Sequence, residues 1–224
     1  MKNSCIIRLE PHEVKEFTLK IKDKWDCVKL LLNCTRFIGI NYADRSIAVP
    51  PKASISTLGE YLKLDILPVP RIYLYVGSNK YISIVFPFMF DTRMVTPKLW
   101  YRGICVTERI ISGIMTLINS HKENSSIIGK TNSSLIELYL SNDEFDDLPD
   151  ESYYLLGELL SLEMGYIRHD HDPANENGKI HPKIHFDVNY SQNATFKYGI
   201  SKMLSSQEFE RIFDKNSDCY YLSL

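Results

Sequence analysis

The sequence predicts an α+β fold, a mostly antiparallel sheet with helices packed on one face, and three observations carry that expectation. Two pairs of segments, one rich in β-branched and aromatic residues and one with two-residue alternation, are each joined by a short polar turn, the pattern of antiparallel hairpins. Other segments repeat apolar residues at steps of three and four, the stripe of an amphipathic helix. The 224 residues are 44% hydrophobic and 12% aromatic, enough to bury a core and rich in side chains that suit a pleated surface.

The elements follow in chain order. Val14, Phe17, Ile21, Trp25, Val28 and Leu32 form one helical stripe. The opposite face carries Lys15, Lys20, Lys22, Lys24 and Lys29, relieved by Asp23 and Asp26; a solvated face explains this mixture better than a phosphate-binding one. Beyond Pro50-Pro51, Ser54 to Leu64 reads as a short helix with Leu58 and Leu62 inward, closed off by Pro68 and Pro70. Arg71 to Val76 and Tyr81 to Phe86 are rich in β-branched and aromatic residues around Gly77-Ser78-Asn79-Lys80, so a hairpin is predicted, ended by Pro87. Thr107 to Ser120 and Ser152 to Leu162 read as helices. The acidic run Asp143 to Glu151 between them leads into a helix N-terminus, where carboxylates are favoured. Ser205-Ser206-Gln207-Glu208 is a capping box opening a short helix with Phe209, Ile212 and Phe213 inward, and Cys219 to Leu224 is apolar enough to dock on the body of the protein.

No internal repeat and no linker cuts the chain, so residues 1–224 read as a single domain. The Ser-, Asn-, Gly- and Lys-rich loop 122–134 is the one candidate sub-domain seam. A net charge of -2 argues against a nucleic-acid coating protein, which needs a basic excess to neutralise phosphate. The 5 cysteines lack a Cys-x-x-Cys pair and read as reduced core thiols. No signal-peptide pattern is present, and the longest apolar run, Ile84 to Phe90, contains Pro87 and is too short for a bilayer. A cytoplasmic protein with no membrane partner is the expectation.

One segment looks like chemistry. His169, His171, His181 and His185 crowd together in a chain with only 6 histidines, interleaved with Arg168, Asp170, Asp172 and Asp187. After Pro182, the apolar residues Ile184, Phe186, Val188 and Tyr190 alternate with His185, Asp187 and Asn189. The next strand, Ala194 to Ile200, places Thr195 and Lys197 on its polar side. Upstream, Arg168, Asp170 and Asp172 share a face if extended, with His169 and His171 opposite. If these strands are neighbours, one sheet surface gathers Arg168, Asp170, Asp172, His185, Asp187, Asn189 and Lys197.

An imidazole among carboxylates has the components for proton transfer near neutral pH. His185 is the candidate general acid or base, His181 is a further catalytic candidate, and Asp170 and Asp172 would orient His185 or hold a divalent metal ion. Arg168, Lys197 and Asn189 would bind substrate, the two cations by contacting phosphate. A metal site lacks a recognised template: in a strand, His181 and His185 would lie about 13 Å apart and could not share an ion without a bend. The alternative is a polar hairpin facing solvent. There is no Gly-x-Gly-x-x-Gly, no phosphate-binding Gly-Lys-Ser/Thr loop and no Gly-x-Ser-x-Gly elbow.

The pattern Arg168-x-Asp170-x-Asp172 followed by His181-Pro182-x-x-His185 and a further strand resembles the C-terminal signature of uncharacterised bacterial proteins encoded beside phage-defence, restriction or toxin–antitoxin genes. The resemblance spans about Met164 to Phe213 and implies a defence or toxin setting without naming a reaction. Two function classes then stand open: a phosphodiester hydrolase acting on nucleic acid through the His/Asp/Arg segment, and a non-catalytic partner or specificity subunit binding a protein encoded nearby. A nucleotide or small-molecule sensor is a third.

Overall fold

A computed structural model describes residues 4–18, 20–48, 59–66, 69–77, 79–91, 97–124, 147–191 and 194–218. The chain forms two compact units, Met1–Thr18 with Arg45–Val85 and Gly165–Leu224, and Leu19–Asp44 with Phe86–Met164. The boundary is crossed at four places in the sequence, so no single linker marks it. Among the described residues no helix is long and apolar enough to cross a membrane.

The first unit is an eight-stranded sheet, antiparallel throughout. Its strands are β1 (Ser4–Arg8), β2 (Ser46–Ala48), β3 (Tyr61–Asp65), β4 (Arg71–Val76), β5 (Lys80–Val85), β9 (Tyr166–His171), β10 (Ile184–Ser191) and β11 (Ala194–Gly199), in the order β11-β10-β9-β5-β4-β3-β1-β2. The hairpin expected from β-branched and aromatic content, β4–β5, and the pair expected from alternation, β10–β11, are both present. The helix expected over Ser54 to Leu64 is not: 51–58 lie outside the described residues, and Tyr61 to Asp65 pairs as β3 between β1 and β4. Tyr61, Leu62 and Leu64 are buried there, and pairing on both sides decides the conformation of a short run whose spacing fits either element.

Register gives the sheet two distinct faces. On one, Tyr61, Tyr75, Tyr81, His169, Phe186 and Tyr198 stand directly opposite one another in sequence across six strands. Helix α1 (Pro11–Phe17) precedes this unit's central strands, and the terminal helix Ser206–Arg211 packs Phe209 onto the aromatic row, its ring 5.8 Å from that of Tyr81 and 6.3 Å from that of His169. That helix is opened by the expected capping box, Ser205 with Glu208. On the other face, Ile7, Leu62, Leu74 and Ile82 continue into Arg168, Asp187 and Lys197. An aliphatic surface becomes a charged one at the β5–β9 boundary.

The second unit contains helices α2 (Lys24–Arg45, its last residue excepted), α3 (Glu108–Asn124) and α4 (Asp150–Ser161), with a small sheet of β6 (Met89–Asp91), β7 (Lys98–Tyr101) and β8 (Ile104–Cys105). The terminal helix of the first unit is therefore α5. The single stripe expected from Val14 to Leu32 is split between α1 and α2, because Asp23 accepts the Asp26 amide at 2.9 Å and starts a new helix. Ile110, Ile111, Ile114, Leu117 and Ile118 of α3 are buried as the periodicity requires. Gly113 of α3 lets α4 approach: a β-carbon there would lie 2.5 Å from Ser152 Oγ. Residues 125–146 and 219–224, which hold most of the expected loop, the start of the acidic run and the apolar terminus, lie outside the described residues.

Candidate functional site

Two adjacent transverse rows build the charged surface. In the first, Lys197 of β11, Asp187 of β10 and Arg168 of β9 stand opposite one another; in the second, His185 of β10 stands opposite Asp170 of β9. Period-two alternation puts all five on one face, and antiparallel register brings them level. Cation, anion and cation therefore alternate along the first row.

The contacts are close. Arg168 Nε donates to Asp170 Oδ2 at 2.6 Å, and Arg168 Nη2 donates to Asp187 Oδ2, so one guanidinium bridges both carboxylates. Lys197 Nζ donates to Asp187 Oδ1 at 2.6 Å and lies 3.1 Å from His185 Nε2. His185 Nε2 is 3.8 Å from Asp170 Oδ2 and 3.7 Å from Asp187 Oδ1. His185, Asp170 and Asp187 are buried; Lys197, its side chain 32% exposed, is the member most open to solvent. Burial alone would lower the Arg168 pKa, but Tyr166, Asp170 and Asp187 outweigh it and hold the guanidinium charge more firmly than usual.

The protonation of His185 follows from its partners. Its Nδ1 lies 2.8 Å from the Pro182 carbonyl oxygen, which can only accept, so Nδ1 carries the hydrogen. A lysine ammonium can only donate, so Nε2 presents its lone pair to Lys197. The imidazole is thus oriented by the backbone with its basic nitrogen aimed at the charged cluster.

The loop between β9 and β10 makes that orientation available. Asp172 lies one residue beyond β9, and its carboxylate accepts from the Asn175 amide and side chain, capping the turn Pro173–Asn175. Those bonds, with Asn175 as the leading cause, lower its pKa. Asp172 is accordingly a turn cap and does not join the cluster, contrary to the role expected for it. The Asp172 amide bonds the Lys183 carbonyl at 2.8 Å, and Asn177 pairs with His181 in an isolated bridge. This folds the loop back, so the His181 and His185 rings meet edge to face with centroids 4.7 Å apart. The wide separation expected of a continuous strand is overturned, because β10 begins only at Ile184 and the chain bends at Pro182-Lys183. His181 Nδ1 is buried with no hydrogen-bond partner among the described residues.

His169 and His171 belong to the opposite side of β9, as alternation requires. Asn189 stands on β10 opposite Tyr166, and its side chain lies outside the described residues. Two further residues contribute in ways the sequence pattern does not assign. Pro182 supplies the orienting carbonyl. Gly199, opposite His185, leaves room for it: a β-carbon there would lie 2.8 Å from Pro182 Cγ. A glycine at the end of a polar–apolar strand was the only available signal.

No protein-family model, curated protein or solved structure matches this chain. The arrangement itself carries the chemistry: a bare imidazole nitrogen and two buried carboxylates beside a fixed guanidinium and a partly exposed ammonium, formally charge-balanced.

Proposed function

We propose that the chain is a phosphodiester hydrolase acting on nucleic acid in the bacterial cytoplasm, as a component of a phage-defence or toxin-type system, with His185 as general acid or base. The observation that carries the reading is the bare Nε2 of His185, held by the Pro182 carbonyl and facing Lys197, 3.1 Å away. Lys197 and Arg168 would contact phosphate and stabilise charge developing on it, while Asp187 positions Lys197.

Energetics support a functional origin for the cluster. Burying two carboxylates and their cations costs several kcal/mol per ion before pairing returns it, and apolar replacements are often as stable. The same face carries Leu62, Leu74 and Ile82 on the neighbouring strands, so aliphatic residues would extend the existing surface. Stability alone gives no reason for the switch to charge.

The test is hydrolysis of single- and double-stranded RNA and DNA by the purified chain, with and without divalent metal. His185→Ala and the shape-preserving His185→Gln should both abolish cleavage while circular dichroism shows folded protein. Wild-type cleavage by folded His185→Gln, or no cleavage by the unsubstituted chain, would overturn the assignment.

A second reading, a non-catalytic subunit of a defence complex, is favoured by one observation. Phe196 and Tyr198 on edge strand β11 are 48% and 45% exposed, and Ile212 is also exposed. Tyr198 and Ile212, with Ile167, Phe186 and Val188, line an apolar depression. Aromatic anchors beside such a depression suit a protein partner. Stoichiometric co-purification with the product of a neighbouring gene, lost in Phe196→Ser/Tyr198→Ser, would select it.

A further inference from the structure

We propose that Asp170, His185 and Asp187 form a binding site for a divalent cation of the zinc class, which competes there with the Lys197 ammonium. Each of the three residues offers one ligand atom, and these atoms lie within 4.8 Å of one another, all on buried side chains. The separations from His185 Nε2 to Asp170 Oδ2 and Asp187 Oδ1 are 3.8 Å and 3.7 Å. Ligand bonds of about 2.0–2.2 Å at tetrahedral angles put neighbouring donors roughly 3.3–3.6 Å apart. The two His185 separations need to close by only a few tenths of an ångström, and the three ligand atoms, which lie within 4.8 Å of one another, draw together by about an ångström to form a coordination shell.

Three further features belong to a metal site. His185 donates its other ring nitrogen to a backbone carbonyl, the outer contact that fixes a ligating imidazole and leaves Nε2 free to bind an ion. Arg168 donates to Oδ2 of both carboxylates, so on Asp170 the oxygen 3.8 Å from His185 Nε2 is already held and Oδ1 is the one left for an ion. Asp170 Oδ1 is buried without a hydrogen-bond partner among the described residues. In a closed structural ion pair that oxygen would be satisfied; an incoming cation supplies what it lacks. Two carboxylate oxygens and one imidazole nitrogen select borderline metals such as zinc or cobalt(II) over calcium, which requires an all-oxygen shell.

Lys197 is the group with which an ion would compete. Its Nζ, 2.6 Å from Asp187 Oδ1 and 3.1 Å from His185 Nε2, places a positive charge on the atoms an ion would use. It belongs to edge strand β11 and is the most exposed member, so its ammonium can leave toward solvent without moving the sheet. Metal binding and lysine occupancy are then mutually exclusive.

The inference uses the residues of the proposed hydrolase and competes with it for the Nε2 lone pair, so a metal-bound His185 is not the general acid or base; binding needs no substrate, so each idea is tested without the other. The experiment is titration with zinc and cobalt(II) of the wild-type chain, Lys197→Ala, Lys197→Ala/His185→Gln and Lys197→Ala/Asp187→Asn, followed by calorimetry and by cobalt visible absorption. Lys197→Ala should bind one equivalent, with the intense visible bands of tetrahedral cobalt, about tenfold or more tighter than wild type because no ion-paired ammonium is displaced. Both double variants should lose that binding. No binding by folded Lys197→Ala, affinity unchanged from wild type, or binding retained by either folded double variant would overturn the proposal.

Discussion

Lys197 Nζ lies 3.1 Å from His185 Nε2, joining the most solvent-open member of the cluster to its fully buried imidazole. The direction of that bond is fixed from the far side of the ring by the Pro182 carbonyl. His185 should therefore show a protonated Nδ1 and a bare Nε2 in long-range proton–nitrogen correlation spectra. Lys197→Met should keep that tautomer while shifting the Nε2 resonance toward its unbonded position. The substitution also removes one of the two cations on Asp187 and should cost about 1–2 kcal/mol in urea unfolding, the order expected when a partly buried charge loses one partner. A spectrum with hydrogen on Nε2 would contradict the arrangement.

His169 makes the acid side of the stability profile. Its ring is buried among Tyr81, Phe186 and Phe209, and neither nitrogen has a hydrogen-bond partner among the described residues. Burial, helped by the neighbouring imidazoles of His185 and His171, pushes its pKa from 6.5 down to about 4. The unfolded chain then takes up a proton near 6.5 that the folded chain refuses until about 4, so stability is complete above 6.5 and falls as pH drops through that window. The loss approaches roughly 3 kcal/mol at the low end. His169→Phe extends the aromatic row and should flatten this part of the curve while stabilising the protein by about 1–3 kcal/mol, the cost of an unsatisfied buried polar ring. Urea midpoints at pH 8 and pH 5 for both proteins supply the check; parallel losses in the two would exclude His169 as the source.

Much of the cluster was legible because alternation is a local property. Ile184, Phe186 and Val188 against His185 and Asp187 define the faces of β10, and Lys197 and Arg168 join by the same rule once the strands are neighbours. Asp172 escaped it because the alternation runs on through the residue while the strand stops at His171, where Asn175 captures the carboxylate. The contact of His181 with His185 and the close approach of Gly199 to Pro182 depend on where a loop returns, which no periodicity encodes. Tyr61 to Leu64, the end of the helix expected over Ser54 to Leu64, becomes strand for a related reason. Its apolar spacing fits a helix, and only pairing with β1 and β4 makes it a strand.

Glu210 should prove the anchor of α5. Its carboxylate accepts from Lys63 Nζ at 2.6 Å and from the Tyr75 hydroxyl at 2.6 Å, tying the helix to two strands. Lys63 is buried, and although burial opposes its charge, Glu210 and Asp65 together raise its pKa above the ordinary value. Glu210→Ala strands that ammonium with Asp65 alone, 3.2 Å away, and should destabilise the protein by about 2–4 kcal/mol. Lys63→Met/Glu210→Met removes both charges and should recover most of the loss. Denaturant unfolding of Lys63→Met, Glu210→Met and the double variant distinguishes an anchored helix from an incidental pair, since additive losses would mean the two residues do not communicate.

Gly199 offers the most direct test of how the loop orients the imidazole. A β-carbon at this position would meet Pro182 Cγ at 2.8 Å and Cβ at 3.1 Å, and a proline ring cannot swing aside as a flexible side chain would. The turn must shift, carrying with it the carbonyl that bonds His185 Nδ1 at 2.8 Å. Gly199→Ala should therefore cost about 1–3 kcal/mol, typical of an overfilled contact, and mix the two His185 tautomers in the same nitrogen spectra. Pro182→Gly removes both clashing carbons, so adding it to Gly199→Ala should restore the single tautomer even though it loosens the loop. The coupling between the two positions isolates the contact from any general effect of alanine in the strand. Equal tautomer populations in the wild-type and Gly199→Ala proteins would mean that something other than the Pro182 turn holds the ring.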